Sequence, residues 1–241
     1  MKVKLENPQL LAKAIDLISE LVMEVRLKVN EFGMSIVAMD PANVAMVSFR
    51  IPKSAFSEFE VGQETLGISL DNFKKVLRRC GSSSILILEK KENLLEIAIQ
   101  DKIKRNFTLG LIEIDSEEKN MPNLEFSAKV EISSQDLVDS VEDCAVVADS
   151  CGFSIKEGKF VIEAKGLNSA RTEFSGDEAK IEAEDCKSRY SIEYLQKFLK
   201  GARICDKSLV FFGNDHPLKM SFKAEHVELD FLLAPRVETD D

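Results

Sequence analysis

The apolar positions of this chain repeat with two different periods. From Asn7-Pro8 onward, Leu10, Leu11, Ala14, Ile15 and Ile18 fall on one face of a 3.6-residue turn. Asn7 suits the N-cap of that helix and Pro8 its first turn. A second helical stretch starts at Asp71, carries Phe73, Val76 and Leu77, and ends near Cys80-Gly81, where glycine suits a C-cap. A third is capped by Ser133 or Ser134 and carries Leu137, Val141, Cys144 and Ala145; a fourth carries Leu195, Phe198, Leu199 and Ala202 and stops near Gly201–Arg203. Between them the period drops to two: EVRLKVNE, MSIVAMD, MVSFRI, ILILEK, LLEIAIQ and RNFTLGLIEI alternate or are short and rich in strand formers. Each half of the chain therefore reads as two helices and eight or nine strands. Amphipathic helices must cover one face of a sheet, so the pattern predicts two α+β units side by side.

The two halves also resemble each other. VKLENPQLLAKAIDLI matches KVEISSQDLVDSVEDC with Leu11 over Leu137, and FGMSIVAMD matches EGKFVIEAKG with Gly33 over Gly158. SLDNFKKVLRRC matches SIEYLQKFLKGA with Ser69 over Ser191, and NFTLGLIEI matches DFLLAPRVE with Asn106 over Asp230. A near-constant offset over four landmarks is the mark of an internal duplication. It predicts a domain over 1–113, a linker over 114–123 and a second domain over 124–241. The linker region, IDSEEKNMPNLEF, is acidic and without period, but its apolar end (Met121, Pro122, Leu124, Phe126) can lie down on a domain surface.

The chain has 241 residues and a net charge of −10, which taken as an average argues against a phosphate partner. The distribution changes that picture. The second helix carries Lys74, Lys75, Arg78 and Arg79, and its counterpart in the repeat carries Lys197, Lys200 and Arg203. Two equivalent helices with basic stripes in an acidic protein point to a phosphate backbone met without base readout. The first helix adds Lys13, whereas the third has no basic residue and carries Asp136, Asp139, Glu142 and Asp143.

Catalytic patterns are missing. No phosphate loop, dinucleotide fingerprint, zinc-protease helix or nucleophile elbow occurs. His216 and His226 have no cysteine or acid at metal-ligand spacing and read as turn or surface residues; no metal site and no cofactor is expected. Five scattered cysteines without a CxxC pair suit reduced, structural thiols in a cytosolic compartment. No apolar run is long enough to span a bilayer, and the N-terminus lacks a signal-peptide stretch. A hydrolase on a duplicated α+β fold lacks a nucleophile or metal site, so no enzyme activity is expected.

AMDPANVAMV (Ala38–Val47), SLDNFKKVLRRC, the linker ending MPNLEF, HPLKMSF (His216–Phe222) and LLAPRVE (Leu232–Glu238) resemble, in order and over the whole length, a sliding clamp of the archaeal or eukaryotic PCNA type. The resemblance implies two topologically similar domains of the DNA-clamp fold, with helices lining the inside and antiparallel sheets outside, and three subunits closed head to tail into a ring. Ring edges are expected near Lys104–Ile112 of one subunit and Ser169–Ile181 of the next. It implies a processivity factor that encircles double-stranded DNA, sequence-independently, with no membrane partner. Lys13, Lys75, Arg78 and Lys200 match hole-facing positions, with Lys74, Arg79, Lys197 and Arg203 beside them.

The family further implies that DNA polymerase, clamp loader, ligase and nuclease dock through short peptides in an apolar pocket. By position that pocket comprises Met39, Asn43, Val44, Met46, Met121, Pro122, Phe126, Pro217, Leu232, Leu233, Ala234, Pro235 and Val237. Methionines suit an adaptable surface for many partners, although Val44 and Leu233, taken singly, suit core packing. Lys119 stands where an apolar linker residue is common. Asp139 and Glu142 replace basic hole-facing residues, which leaves a homotrimer or an unlike subunit of a heterotrimeric or checkpoint-type clamp. The implied location is the cytoplasm with the nucleoid in an archaeon, or a eukaryotic nucleus.

Overall fold

The computed structural model describes residues 1–237; Glu238 and the acidic residues after it, part of the expected C-terminal signature, lie outside the described residues. The chain forms two compact units, one of Met1–Pro41, Val47–Met121 and Ala224–Leu229, the other of Ala42–Met46, Pro122–Lys223 and Asp230 onward. The first half carries β1 (Lys2–Leu5), α1 (Gln9–Ile18), β2 (Glu24–Asn30), β3 (Gly33–Met39), β4 (Ala45–Pro52), β5 (Glu58–Glu60), β6 (Glu64–Ser69), α2 (Leu70–Leu77), β7 (Ile85–Lys91), β8 (Leu94–Gln100) and β9 (Lys104–Gly110). The second half carries β10 (Ala128–Ser133), α3 (Ser134–Ala145), β11 (Ser150–Lys156), β12 (Lys159–Lys165), β13 (Ser169–Phe174), β14 (Ala179–Ala183), β15 (Cys186–Ser191), α4 (Ile192–Leu199), β16 (Lys207–Phe212), β17 (Leu218–Ala224) and β18 (Val227–Leu233).

The strand orders are identical once nine is added to each number. The first half runs β5-β1-β7-β8-β9 and β4-β3-β2-β6; the second runs β14-β10-β16-β17-β18 and β13-β12-β11-β15. The duplication read from four weak sequence matches is thus complete at the level of topology. Neighbouring strands run antiparallel, for example β7 with β8, Leu88 opposite Ile97, and β11 with β15, Phe153 opposite Ser188.

Helix starts follow local chemistry. Ser133 caps α3, its hydroxyl accepting from the Asp136 amide at 3.4 Å. Pro8, just before α1, already has helical torsions, and its carbonyl accepts from the Ala12 amide at 2.9 Å, as suits a proline in the first turn. α2 begins one residue earlier than expected and its regular part ends at Leu77, the chain turning on through Arg79 and Cys80 by tighter backbone bonds. α4 continues as a 3₁₀ turn, Lys200–Ile204. The expected edge strand Ser169–Ile181 is two strands: Ser175 and Glu178 close a turn, with the Glu178 carboxylate accepting from the Ser175 amide at 2.8 Å, and β14 joins a different sheet from β13.

The apolar helix faces are the buried ones: Leu11, Ala14, Ile15 and Ile18 on α1, Phe73, Val76 and Leu77 on α2, Leu137, Val141 and Cys144 on α3, Leu195, Phe198 and Leu199 on α4. The second unit adds an aromatic cluster in which the Phe153 ring lies 5.6 Å from both Phe160 and Tyr190, and Phe198 stacks on Phe231 at 4.5 Å. Burying one such ring stabilises by about 1.5–3 kcal/mol. With the cores on the inner helix and sheet faces, the charged helix faces remain at the surface.

Candidate functional site

In the first unit α1 packs on α2, and their outer faces form one basic surface. Lys74 Nζ donates to Ser19 Oγ at 2.8 Å, so its charge stays uncompensated there. Lys75 bonds Asp71 at 2.6 Å one turn back and holds that carboxyl below its ordinary value. Arg78 pairs with Asp16. The exposed Lys13 and Arg79 side chains meet no acid among the described residues. In the second unit, Lys197 bonds Glu193 at 2.9 Å and lies 5.0 Å from the Tyr194 ring centre. Lys200 is half-buried in the 3₁₀ turn, and Arg203 is exposed. On α3, Asp139 accepts from Gln135 at 2.7 Å, and Asp136, Glu142 and Asp143 are exposed.

A second, apolar surface is built from the segments Ala42–Met46 and Asp230 onward, both of the second unit. Asn43 sits at φ 58, a left-handed turn position that asparagine tolerates better than most residues. The Ala234 amide donates to the Val44 carbonyl at 2.9 Å, fixing these two stretches together. Burial then decides which side chains are available. Leu233 is only 1% exposed and Met46 6%, so both act as core beneath the surface, whereas Val44, which suits core packing by type, is 37% exposed. Leu232 is half-buried and Ala234 exposed.

The Phe126 ring lies 5.7 Å from Phe211 and edge-on to His216 at 5.5 Å. Tyr190, whose hydroxyl is kept protonated by burial, donates to the His216 carbonyl at 2.7 Å, and Ser188 does so at 3.3 Å, which sets the half-buried Pro217. Pro235 and Val237 line a cleft of about 790 Å³ with Gly152, Ser154, Lys187 and Arg189. The Arg236 amide donates to the Arg189 carbonyl at 2.8 Å, and its guanidinium bonds Asp149 at 2.9 Å and holds that carboxyl low. Met39 and Met121 belong to the first unit and are half-buried; Pro122 is exposed in the second.

Residues that patterning overlooks tie down the linker. Arg26 donates to the carbonyls of Ile114 and Ser116, and Lys28 pairs with Glu118, holding that carboxyl below its ordinary value. The Ile112 amide donates to the Gly67 carbonyl at 3.0 Å, and a Cβ at Gly67 would stand 2.0 Å from the Ile112 oxygen. Only glycine lets the linker approach β6 so closely. The one sequence signal was the alternation of EVRLKVNE, which turns Arg26 and Lys28 outward. His216, read as a turn or surface residue, follows the Asn214–Asp215 turn, is half-buried and also packs edge-on against Phe126. Lys119 is exposed and pairs with Glu117, at 3.5 Å. Among the described residues no group of three His, Cys, Asp or Glu side chains is placed to hold a metal, and no helix is long and apolar enough to cross a membrane.

Residues 1–119 match the family described as proliferating cell nuclear antigen, N-terminal domain. The DNA polymerase sliding clamp of Thermococcus sibiricus is 39% identical over 94% of both chains. Among solved structures, PCNA from Thermococcus kodakaraensis superposes with a TM-score of 0.91 at 27% identity, covering 98% of this chain and 99% of that one. A chain of the PCNA2–PCNA3 complex from Sulfolobus tokodaii superposes with a TM-score of 0.88 at 28% identity, covering 99% and 100%. With this topology, these helix faces and near-full-length similarity, the chain belongs to the family of PCNA-type DNA polymerase sliding clamps.

Proposed function

We propose that three copies of this chain close head to tail into a ring that encircles double-stranded DNA and tethers DNA polymerase and other replication and repair enzymes, without a catalytic step of its own. The observation that carries the assembly is the pairing of counterparts. Within the second unit the Ala234–Val44 bond brings the segment entering β4 beside the end of β18. The counterparts of β18 and β4 in the other halves are β9 and β13, and both stand at sheet edges. An edge strand invites pairing, so β9 of one subunit and β13 of the next repeat an arrangement the chain already uses. Such a heterologous contact closes when its rotation divides the circle. The domains are then 1–113 and 124–241, joined by 114–123.

Lys13, Lys74, Lys75, Arg78 and Arg79 attract the duplex diffusely, which permits sliding; Lys197, Lys200 and Arg203 stand on the equivalent helix of the second unit. Partner peptides dock on Val44, Phe126, Pro217, Leu232, Ala234 and Pro235, with Pro122 and Val237 around them and Asn43 shaping the rim; Met46 and Leu233 support this surface from below. The place of action is with the chromosome.

Light scattering tests the assembly. A native mass near three times 27.0 kDa for the purified chain, with retention on closed circular DNA that is lost when the circle is cut, supports the homotrimer. A monomer or dimer at every concentration supports the second reading, an unlike subunit of a heterotrimer, which the acidic α3 favours.

A further inference from the structure

The two helix pairs carry opposite charge, and this divides the work between them. Over α1 and Leu70–Arg79, five basic residues stand against two acidic ones, Asp16 and Asp71. Over α3, α4 and the 3₁₀ turn, three basic residues stand against five acidic ones: Asp136, Asp139, Glu142, Asp143 and Glu193. Pairing sharpens the difference. Lys13 and Arg79 form no ion pair among the described residues, and Lys74 donates its hydrogen bond to the neutral Ser19 hydroxyl. Lys197 is neutralised by Glu193, while Glu142 and Asp143 meet no cation. No basic side chain lies anywhere on α3, from Ser134 to Ala145.

We infer that the duplex is held by the α1–α2 surface alone, and that α3 acts as a repulsive element that keeps DNA attraction weak. This rests on the clamp reading, in which both helix pairs face the hole. A phosphate is drawn to Lys13, Lys74 and Arg79, and meets an unscreened carboxylate row when it approaches Asp139 and Glu142. Both effects act within about one Debye length, roughly 8 Å at physiological salt. A ring so built has basic arcs that attract and acidic arcs that do not, so its attraction for DNA comes from part of its lining.

The test titrates a labelled short blunt duplex with the full-length protein over a salt series, with native mass checked by light scattering for each variant. K13A/R79A is expected to flatten the slope of log affinity against log salt by about two, at roughly 0.9 per lost phosphate contact. R203A is expected to leave the slope unchanged. D139N/E142Q is expected to raise affinity at low salt by about threefold or more while leaving the mass unchanged. Equal flattening by R203A, or no gain from D139N/E142Q, overturns the division of labour and leaves the clamp intact. A wild-type chain with neither trimer mass nor salt-dependent binding sinks the clamp reading and this inference together.

Discussion

Glu182 shows how much of this surface is decided by single neighbours. Lys180 and Lys129 both bond its carboxylate and lower it to about 2, from an ordinary value of 4.5. A carboxyl depressed on folding adds stability that is complete above the unfolded value and is lost as pH falls through the folded one. Its contribution therefore disappears between 4.5 and about 2. Thermal melts at neutral and acid pH check this: Glu182→Gln should narrow the gap between them, and an unchanged gap would mean water screens the group fully. Gly67 is decisive in another way. Gly67→Ala drives a methyl into the Ile112 carbonyl and should destabilise by about 1–3 kcal/mol in urea titration, as overpacking does. Alanine at Gly62, where added atoms meet nothing within 4 Å, is the control and should be silent.

At the scale of elements, the linker is the instructive case. It has no regular structure, yet it is pinned at Ile114, Ser116 and Glu118 by two outward side chains of β2, and just before it the Ile112 amide bonds the edge of β6. Surface pairs of this kind contribute about 0–1 kcal/mol each. Arg26→Ala with Lys28→Ala should thus leave the melting temperature nearly unchanged while limited proteolysis cuts near Asp115–Lys119 severalfold faster. Equal cutting rates in variant and parent would show that Gly67 alone holds the segment. The helices behave alike in being amphipathic and differ in charge, so their roles are told apart by polar faces rather than by cores.

For the whole molecule, the shift of nine strands between halves makes the edge strands β9 and β13 the counterparts of β18 and β4. Function follows from closure and charge together. Lys75→Glu with Arg78→Glu should preserve the native mass, because neither side chain is part of a core, but should shorten retention on closed circular DNA, and raised salt should mimic the change in the parent protein. Retention on circles that ignores both would mean that encirclement alone holds the clamp.

The sequence by itself determined the four helices, the alternating strands, the duplication, the basic stripes and the acidic α3, because periodicity and composition are local and survive without coordinates. Phe73, Phe198 and Leu137 could be assigned to cores from their spacing alone. Tertiary structure decided the rest. Val44 and Leu233 are both aliphatic and flank the same hydrogen bond, but Val44 lies in the bend before β4 and is exposed, whereas Leu233 ends β18 on its buried face. The expected Ser169–Ile181 strand divides because Glu178 caps a turn. Arg26, Lys28, Gly67 and His216 acquire their parts from segments distant in sequence, and no local pattern encodes which backbone arrives beside them.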